Sequence, residues 1–125
     1  MQRERSMKKY NVLGIGNAVV DVISQSSDLF LEKMNIEKGI MQLVDLERGE
    51  LLYNSMDNRR HAPGGSVANT IAGIGELGLK TGFIGKVGND DLGNFYRSTM
   101  EEKGTDFLNE IIDEKDLPTS RSMIF

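Results

Sequence analysis

The chain contains no cysteine and no tryptophan, a single histidine and two prolines. Without cysteine there is no disulfide framework and no thiolate metal site. One imidazole, His61, is too few for a His-rich metal centre or a Ser/His/Asp triad, and beside Arg59 and Arg60 it reads as a surface residue. An excess of positive charge is also missing: 15 Lys plus Arg stand against 19 Asp plus Glu. Beyond the short N-terminal RERSMKK there is no basic run, which argues against a nucleic-acid partner. No apolar stretch approaches the ~20 residues of a membrane span, and the polar N-terminus is no secretory signal. These absences leave an expected cytoplasmic chain with no membrane association. Its 125 residues suffice for one compact domain, burying roughly two-thirds of the unfolded surface. Residues 1–6, MQRERS, are charged and without pattern, and are read as a tag or a disordered segment.

What is present alternates between strand and helix patterns. YNVLGI (10–15) reads as a buried strand, and NAVVDVIS continues extended with β-branched residues. SSDLFLEKMN follows as a helix capped by Ser27 or Asp28, with Leu29, Phe30 and Met34 apolar, and Gly39 interrupts the pattern. IMQLVD (40–45) reads as a short strand, and Asp45 as the cap of a helix LERGELLYNSM with Leu52, Tyr53 and Met56 on one face. NRRHA suits an edge strand. Val67, Ile71, Ile74 and Leu77 recur at helical spacing up to a stop at Gly78. KTGFIGKVG is the next strand, Leu92, Phe95, Tyr96, Thr99 and Met100 mark a second amphipathic helix stopped by Gly104, and TDFLNEI is a further strand. Strand–helix alternation of this kind predicts an α/β sheet with parallel crossovers. The polar block 38–62 interrupts it as an inserted flap or lid would. Ile124 and Phe125 end the chain in mid-strand, so the reading expects a fragment of a longer protein, with the fold incomplete at its C-terminus.

Three short stretches can carry chemistry. GIGNAVVDV (14–22) begins like a dinucleotide fingerprint, but Val19 stands at the third glycine position. There is also no GxxxxGK[ST] phosphate loop. What remains is Asn17 and Asp21 leaving an apolar strand. They are either crevice residues at a strand's carboxyl end or a turn residue and a solvated carboxylate. In PGGSVANT (63–70), Gly64 and Gly65 allow close approach to the main chain, Ser66 can cap the following helix, and Asn69 offers donor and acceptor from its first turn. That set suits a polyhydroxylated ligand, although a Gly-rich loop before a helix needs no ligand to explain it. In GKVGNDDLGNF, Asp90 and Asp91 could serve as paired carboxylates, but two carboxylates before a helix are ordinary capping chemistry, the reading preferred here.

Together and in this order, GIGNAVVDVIS, PGGSVANTIAGIGELG and GFIGKVGNDDLGNFYRSTMEEKGTD resemble the N-terminal part of a ribokinase-like (PfkB) carbohydrate kinase, over nearly the whole chain from Met7. Within that family the sequence is most similar to the adenosine kinase branch. Two residues separate Ala18 from Asp21, where ribokinases are shorter, and Val67 and Ile71 stand where ribokinases usually carry glycine and alanine. The resemblance implies a central, mostly parallel sheet flanked by helices (7–37 and 63–118) and a small β-rich lid (38–62 and 119–125). It assigns Asp21 to ribose hydroxyls and Asn17, Gly64, Gly65 and Asn69 to the rest of the substrate pocket. It places the catalytic aspartate in a Gly-Ala-Gly-Asp motif beyond Phe125, so no catalytic residue or metal ligand is expected in this chain. ATP and Mg²⁺ are expected to bind mainly outside it. The implied activity is phosphorylation of a hydroxyl of a nucleoside, adenosine first, or of a sugar as in ribokinases and fructokinases. The chain alone is expected to be inactive. A non-catalytic ligand-binding module ending near Phe125 and a Rossmann-type regulator are the competing readings. The strand IMQLVD offers an edge for a lid-mediated homodimer, against a monomer.

Overall fold

Alternating β-branched and small residues make two strands in close succession, β1 (Val12–Ile15) and β2 (Val19–Ile23). The computed structural model describes residues 7–113 and 117–125; the tag-or-disorder reading of residues 1–6 lies outside the described residues. Further along come α1 (Asp28–Lys33), α2 (Leu46–Ser55), β3 (Arg60–Gly64), α3 (Ser66–Glu76), β4 (Thr81–Ile84), α4 (Asp91–Glu102), β5 (Thr105–Phe107) and β6 (Ser120–Ile124). Three helices begin where a side-chain oxygen accepts from an open first-turn amide. Ser27 accepts from Phe30 N at 3.2 Å, Asp45 from Arg48 N at 2.8 Å and Asp90 from Gly93 N at 2.7 Å. The chain divides into two compact units: Met1–Val20 with Pro63–Ser120, and Asp21–Ala62 with Arg121–Phe125.

The first unit is built on a parallel sheet in the order β1-β4-β5, as the strand–helix alternation predicts. Its register sets Gly14 beside Phe83 and Phe83 beside Phe107, so these three share one face with Thr81 and Thr105. Helices α3 and α4 cover that face. Tyr96 of α4 packs on Phe83 and Phe107 with ring centroids 6.2 Å from each, and Phe83 lies 6.1 Å from Phe107. Tyr96 and Phe83 are fully buried, each contributing roughly 1.5–3 kcal/mol by leaving water. The side chains of Val67 and Ile71 fill the space beside Gly14. Thr81 and Thr105 satisfy each other through a buried hydroxyl–hydroxyl bond of 2.9 Å. The opposite face carries Leu13, Ile15 and Leu108, all exposed.

In the second unit the sheet order is β3-β2-β6. Val20 and Val22 are fully buried on one face of β2, while Val19, Asp21 and Ile23 occupy the other and are half-buried. Leu52 and Met56 bury the inner side of α2, and Phe30 of α1 meets Phe125 with centroids 5.6 Å apart. Tyr53 lies between two guanidinium groups, Arg59 at 4.2 Å and Arg121 at 4.5 Å from its ring centroid. Its hydroxyl is 3.3 Å from His61 Nε2, and Arg121 also pairs with Glu50.

Several expectations need correction. Residues 40–45 form no strand; Ile40, Met41 and Leu43 are exposed, and no ladder partner stands beside them among the described residues. An apolar run becomes a strand only where its backbone groups find a neighbour. The homodimer reading that used this edge therefore lacks its strand. Helix α1 stops well before Gly39, because Asn35 already takes a left-handed φ of 53°. Leu29 and Leu77, expected on apolar faces, are 74% and 87% exposed; Leu31 fills the inward position of α1, and Leu77 sits on the C-cap of α3. The strand expected from TDFLNEI ends at Phe107, and the cap expected at Ser66 is instead Gly65.

Candidate functional site

The PGGSVANT stretch turns from β3 into α3 at Gly65, whose φ of 103° and ψ of 129° suit glycine alone. A Cβ there would also collide with the main-chain carbonyl of Asn17. This close approach joins the first and second motifs within one unit. It also explains why Ser66 does not cap: the residue at the boundary must be glycine, so the helix starts with no side-chain acceptor on its first amides. Gly64 is buried, and its carbonyl accepts from Tyr96 Oη at 2.9 Å, which ties the turn to α4. Asn69 donates its amide to Gly65 O at 2.9 Å in the first turn. Its side chain is exposed and, like that of Asn17, hydrogen-bonds to nothing among the described residues. Asn17 and Gly65 are thus brought together, with Gly64 and Asn69 on the same short connection.

Asp21 belongs to the second unit, on the half-buried face of β2. Its carboxylate has no ion pair or side-chain hydrogen bond among the described residues. Burial pushes it above the 3.8 ordinary for an aspartate, because nothing nearby compensates the lost hydration. Such a carboxylate is a strong acceptor that the fold itself does not use.

A cavity of about 300 Å³ opens in the first unit where the chain leaves the carboxyl ends of β1 and β4. Gly16, Asn17 and Ala18 line it after β1, Lys86, Val87 and Gly88 after β4, with Ile112, Leu117, Pro118 and Ser120 completing the wall. That wall is held by side chains the sequence did not single out. Asn109 pairs with the Gly85 main chain in both directions, donating Nδ2 to Gly85 O at 2.7 Å and accepting from Gly85 N at 3.0 Å. Thr119 Oγ1 accepts from Gly88 N at 2.9 Å and donates to Asp90 Oδ1 at 2.7 Å. Asp90 Oδ2 in turn accepts from Thr119 N at 2.8 Å. Asp90 therefore caps α4 and fastens residue 119 at once, so the structural role preferred for it holds, whereas Asp91 is simply an exposed first-turn acid. Lys86 and Ser120 also reach the cavity without having been identified; a lysine inside a glycine-rich loop carries no distinguishing local signal. Among the described residues no group of three or more His, Cys, Asp or Glu could hold a metal ion. No helix among them is long and apolar enough to cross a membrane.

A pocket at the carboxyl ends of parallel strands, beside a glycine-led helix start, is where open α/β sheets generally place small-molecule ligands. The sequence comparison is more specific. A model of the pfkB family carbohydrate kinases matches residues 36–125, and the chain belongs to that family. Among curated relatives, the 5-dehydro-2-deoxygluconokinase of Halalkalibacterium halodurans is 33% identical over 90 residues, covering 72% of this chain and 27% of that protein. Among solved structures, an adenosine kinase from Sinorhizobium meliloti is 43% identical with a TM-score of 0.78, covering 93% of this chain and 35% of that one. A probable sugar kinase from Rhizobium etli CFN 42 is 40% identical, also with a TM-score of 0.78, over 94% of this chain and 35% of that one. The chain thus spans about a third or less of the length of these relatives. The ribokinase-like α/β architecture expected from the motifs is the one observed.

Proposed function

We propose that this chain is the substrate-binding part of an ATP-dependent kinase that phosphorylates a hydroxyl of a nucleoside, with adenosine the leading substrate. The observation that carries this reading is the uncommitted carboxylate of Asp21 in a chain of the pfkB family. A half-buried acceptor that the fold leaves unpaired suits vicinal hydroxyls, which can offer it two donors. Asn17 and Asn69 supply further uncommitted donors and acceptors, and Gly64 and Gly65 let a ring approach the main chain. Adenosine is preferred because the solved adenosine kinase from Sinorhizobium meliloti is 43% identical across 93% of this chain.

A second reading, a sugar or sugar-acid substrate, has its own support in the 5-dehydro-2-deoxygluconokinase and the probable Rhizobium etli sugar kinase. In either reading residues 38–62 and 119–125 act as a lid that excludes water when the substrate is bound. The nucleotide's phosphates and a Mg²⁺ ion supply the transferable group and its charge neutralisation. The described residues include no group of three or more His, Cys, Asp or Glu that could hold a metal ion. The protein works in the cytoplasm on small molecules.

The test is phosphoryl transfer from ATP in Mg²⁺ buffer by the full-length protein that carries this chain, with adenosine, ribose, fructose and gluconate offered in parallel. Transfer to adenosine above the others supports the nucleoside reading, and transfer to a sugar or sugar acid instead supports the second. No transfer to any of them overturns the kinase assignment. The 125-residue chain assayed alone is expected to bind but not to turn over.

A further inference from the structure

We infer that the cavity after β1 and β4 receives an oxyanion, a carboxylate or phosphate borne by the ligand, and that Lys86 selects for it. This deepens the reading above that the chain holds a hydroxylated small molecule. The polar residues lining the cavity are Asn17, Lys86 and Ser120, and no acid lines it among the described residues. All three are uncommitted: none has a hydrogen bond or ion pair with a described residue through its side chain. Among the described residues, a lining without an acid stands out in a chain whose net charge is −4. Of the described acids nearby in sequence, Asp90 is engaged with Gly93 and Thr119 and Asp113 with Asn89, while Asp91 and Glu110 do not line the cavity.

The backbone that carries Lys86 is clamped on both sides. Gly85 is held by the paired bonds of Asn109, and the carbonyl of Val87 accepts from Ile112 N at 3.1 Å. The lysine side chain therefore starts from a fixed backbone, which is what a selective charge contact needs. A lysine recognises an oxyanion as a point charge without demanding one orientation, so carboxylate and phosphate are equally suited. About 300 Å³ holds a ligand the size of a small sugar acid or a phosphorylated group. The oxyanion has two chemical sources, an acid on the substrate itself or the phosphate that is transferred to it.

The probes that separate these sources are gluconate with its neutral counterpart sorbitol, and inorganic phosphate. Titrated into the ¹⁵N-labelled chain, an oxyanion is expected to shift the amides of Asn17, Lys86, Gly88 and Ser120, while sorbitol at equal concentration leaves them within error. Shifts with gluconate and not phosphate assign the substrate's own acid; shifts with phosphate, with or without gluconate, assign the transferred group. Lys86→Met should weaken the effective anion at least tenfold and Lys86→Arg should restore it to within a few-fold. The native spectrum of each variant is checked first, and rising NaCl should weaken wild-type binding. Equal shifts with sorbitol and gluconate, no shift with either anion, or undiminished anion binding in Lys86→Met overturns the inference. The two readings fail separately. Loss of adenosine and fructose binding with phosphate binding intact removes the hydroxyl pocket and keeps this site, and the reverse removes this site alone.

Discussion

Asp21 is the residue on which two opposing demands meet. Holding a charged carboxylate half-buried without a partner costs folding free energy, and burial accordingly raises its pKa above 3.8. The sign of the pH dependence follows. At a pH below the unfolded value both states are protonated and the cost is absent. It grows as pH rises from there to the raised folded value, and above that it is present in full. Asp21→Asn should therefore raise the melting temperature at pH 7, and the gain should vanish when the two proteins are compared near pH 3. Equal stabilities at pH 7 would mean that the carboxylate costs the fold nothing. Under the proposed function the compensating gain is in binding. A hydrogen bond to a charged group is worth about 1.5–3 kcal/mol, so Asp21→Ala should weaken adenosine roughly ten- to a hundredfold in a calorimetric titration of the full-length protein. Unchanged affinity would take Asp21 out of the pocket.

At the scale of elements, α3 offers two glycines one turn-half apart with opposite consequences. Around Gly73 there is nothing within 4 Å of an added Cβ, so Gly73→Ala meets only the usual helical preference and should stabilise by about 0.5–1 kcal/mol. At Gly75 the same Cβ would lie 2.7 Å from Thr81 Oγ1 and 3.1 Å from Thr105 Oγ1, the buried hydroxyl pair. Moving either breaks a satisfied buried hydrogen bond, so Gly75→Ala should destabilise by roughly 1–3 kcal/mol, the sign set by packing over propensity. Urea denaturation of both variants checks this, and equal effects would refute the packing argument. The contrast also says what was legible in the sequence. The apolar spacing of Ile71, Tyr96 and Met100 disclosed two helices and their buried faces, because that pattern is local. The caps at Ser27, Asp45 and Asp90 were legible for the same reason. IMQLVD misled because strand formation depends on a neighbour that no local pattern reveals. At the candidate site the glycines and Asn17 could be found from their motifs. The Thr119–Asp90 fastening joins residues 29 apart, Asn109 reaches Gly85 across 24, and Lys86 is set apart only by the cavity it lines. Contacts of that range leave no trace in spacing.

At the scale of the molecule, the first sheet is finished on one face only. Register puts Leu13, Ile15 and Leu108 on the side away from α3 and α4, where they are 55%, 74% and 39% exposed. β1 is also an outer strand of the three in that sheet. An apolar face beside an open strand edge is what soluble proteins normally cover or interrupt with charge. Among the paired strand residues of this face the one charged side chain is Asp106 of β5, and β1 carries none. Each large aliphatic residue removed from water returns roughly 1.5–3 kcal/mol, so pairing two such faces should produce association in the micromolar range. Sedimentation velocity across a hundredfold range of concentration is expected to show the 125-residue chain passing from monomer to dimer or larger species. Leu13→Lys combined with Ile15→Lys should shift that midpoint upward at least tenfold, since like charges then meet across the contact. Both side chains are exposed, so the monomer's urea midpoint should change little. A chain that stays monomeric throughout, or associates equally well with two lysines on β1, would show that the uncovered face is not what joins the copies.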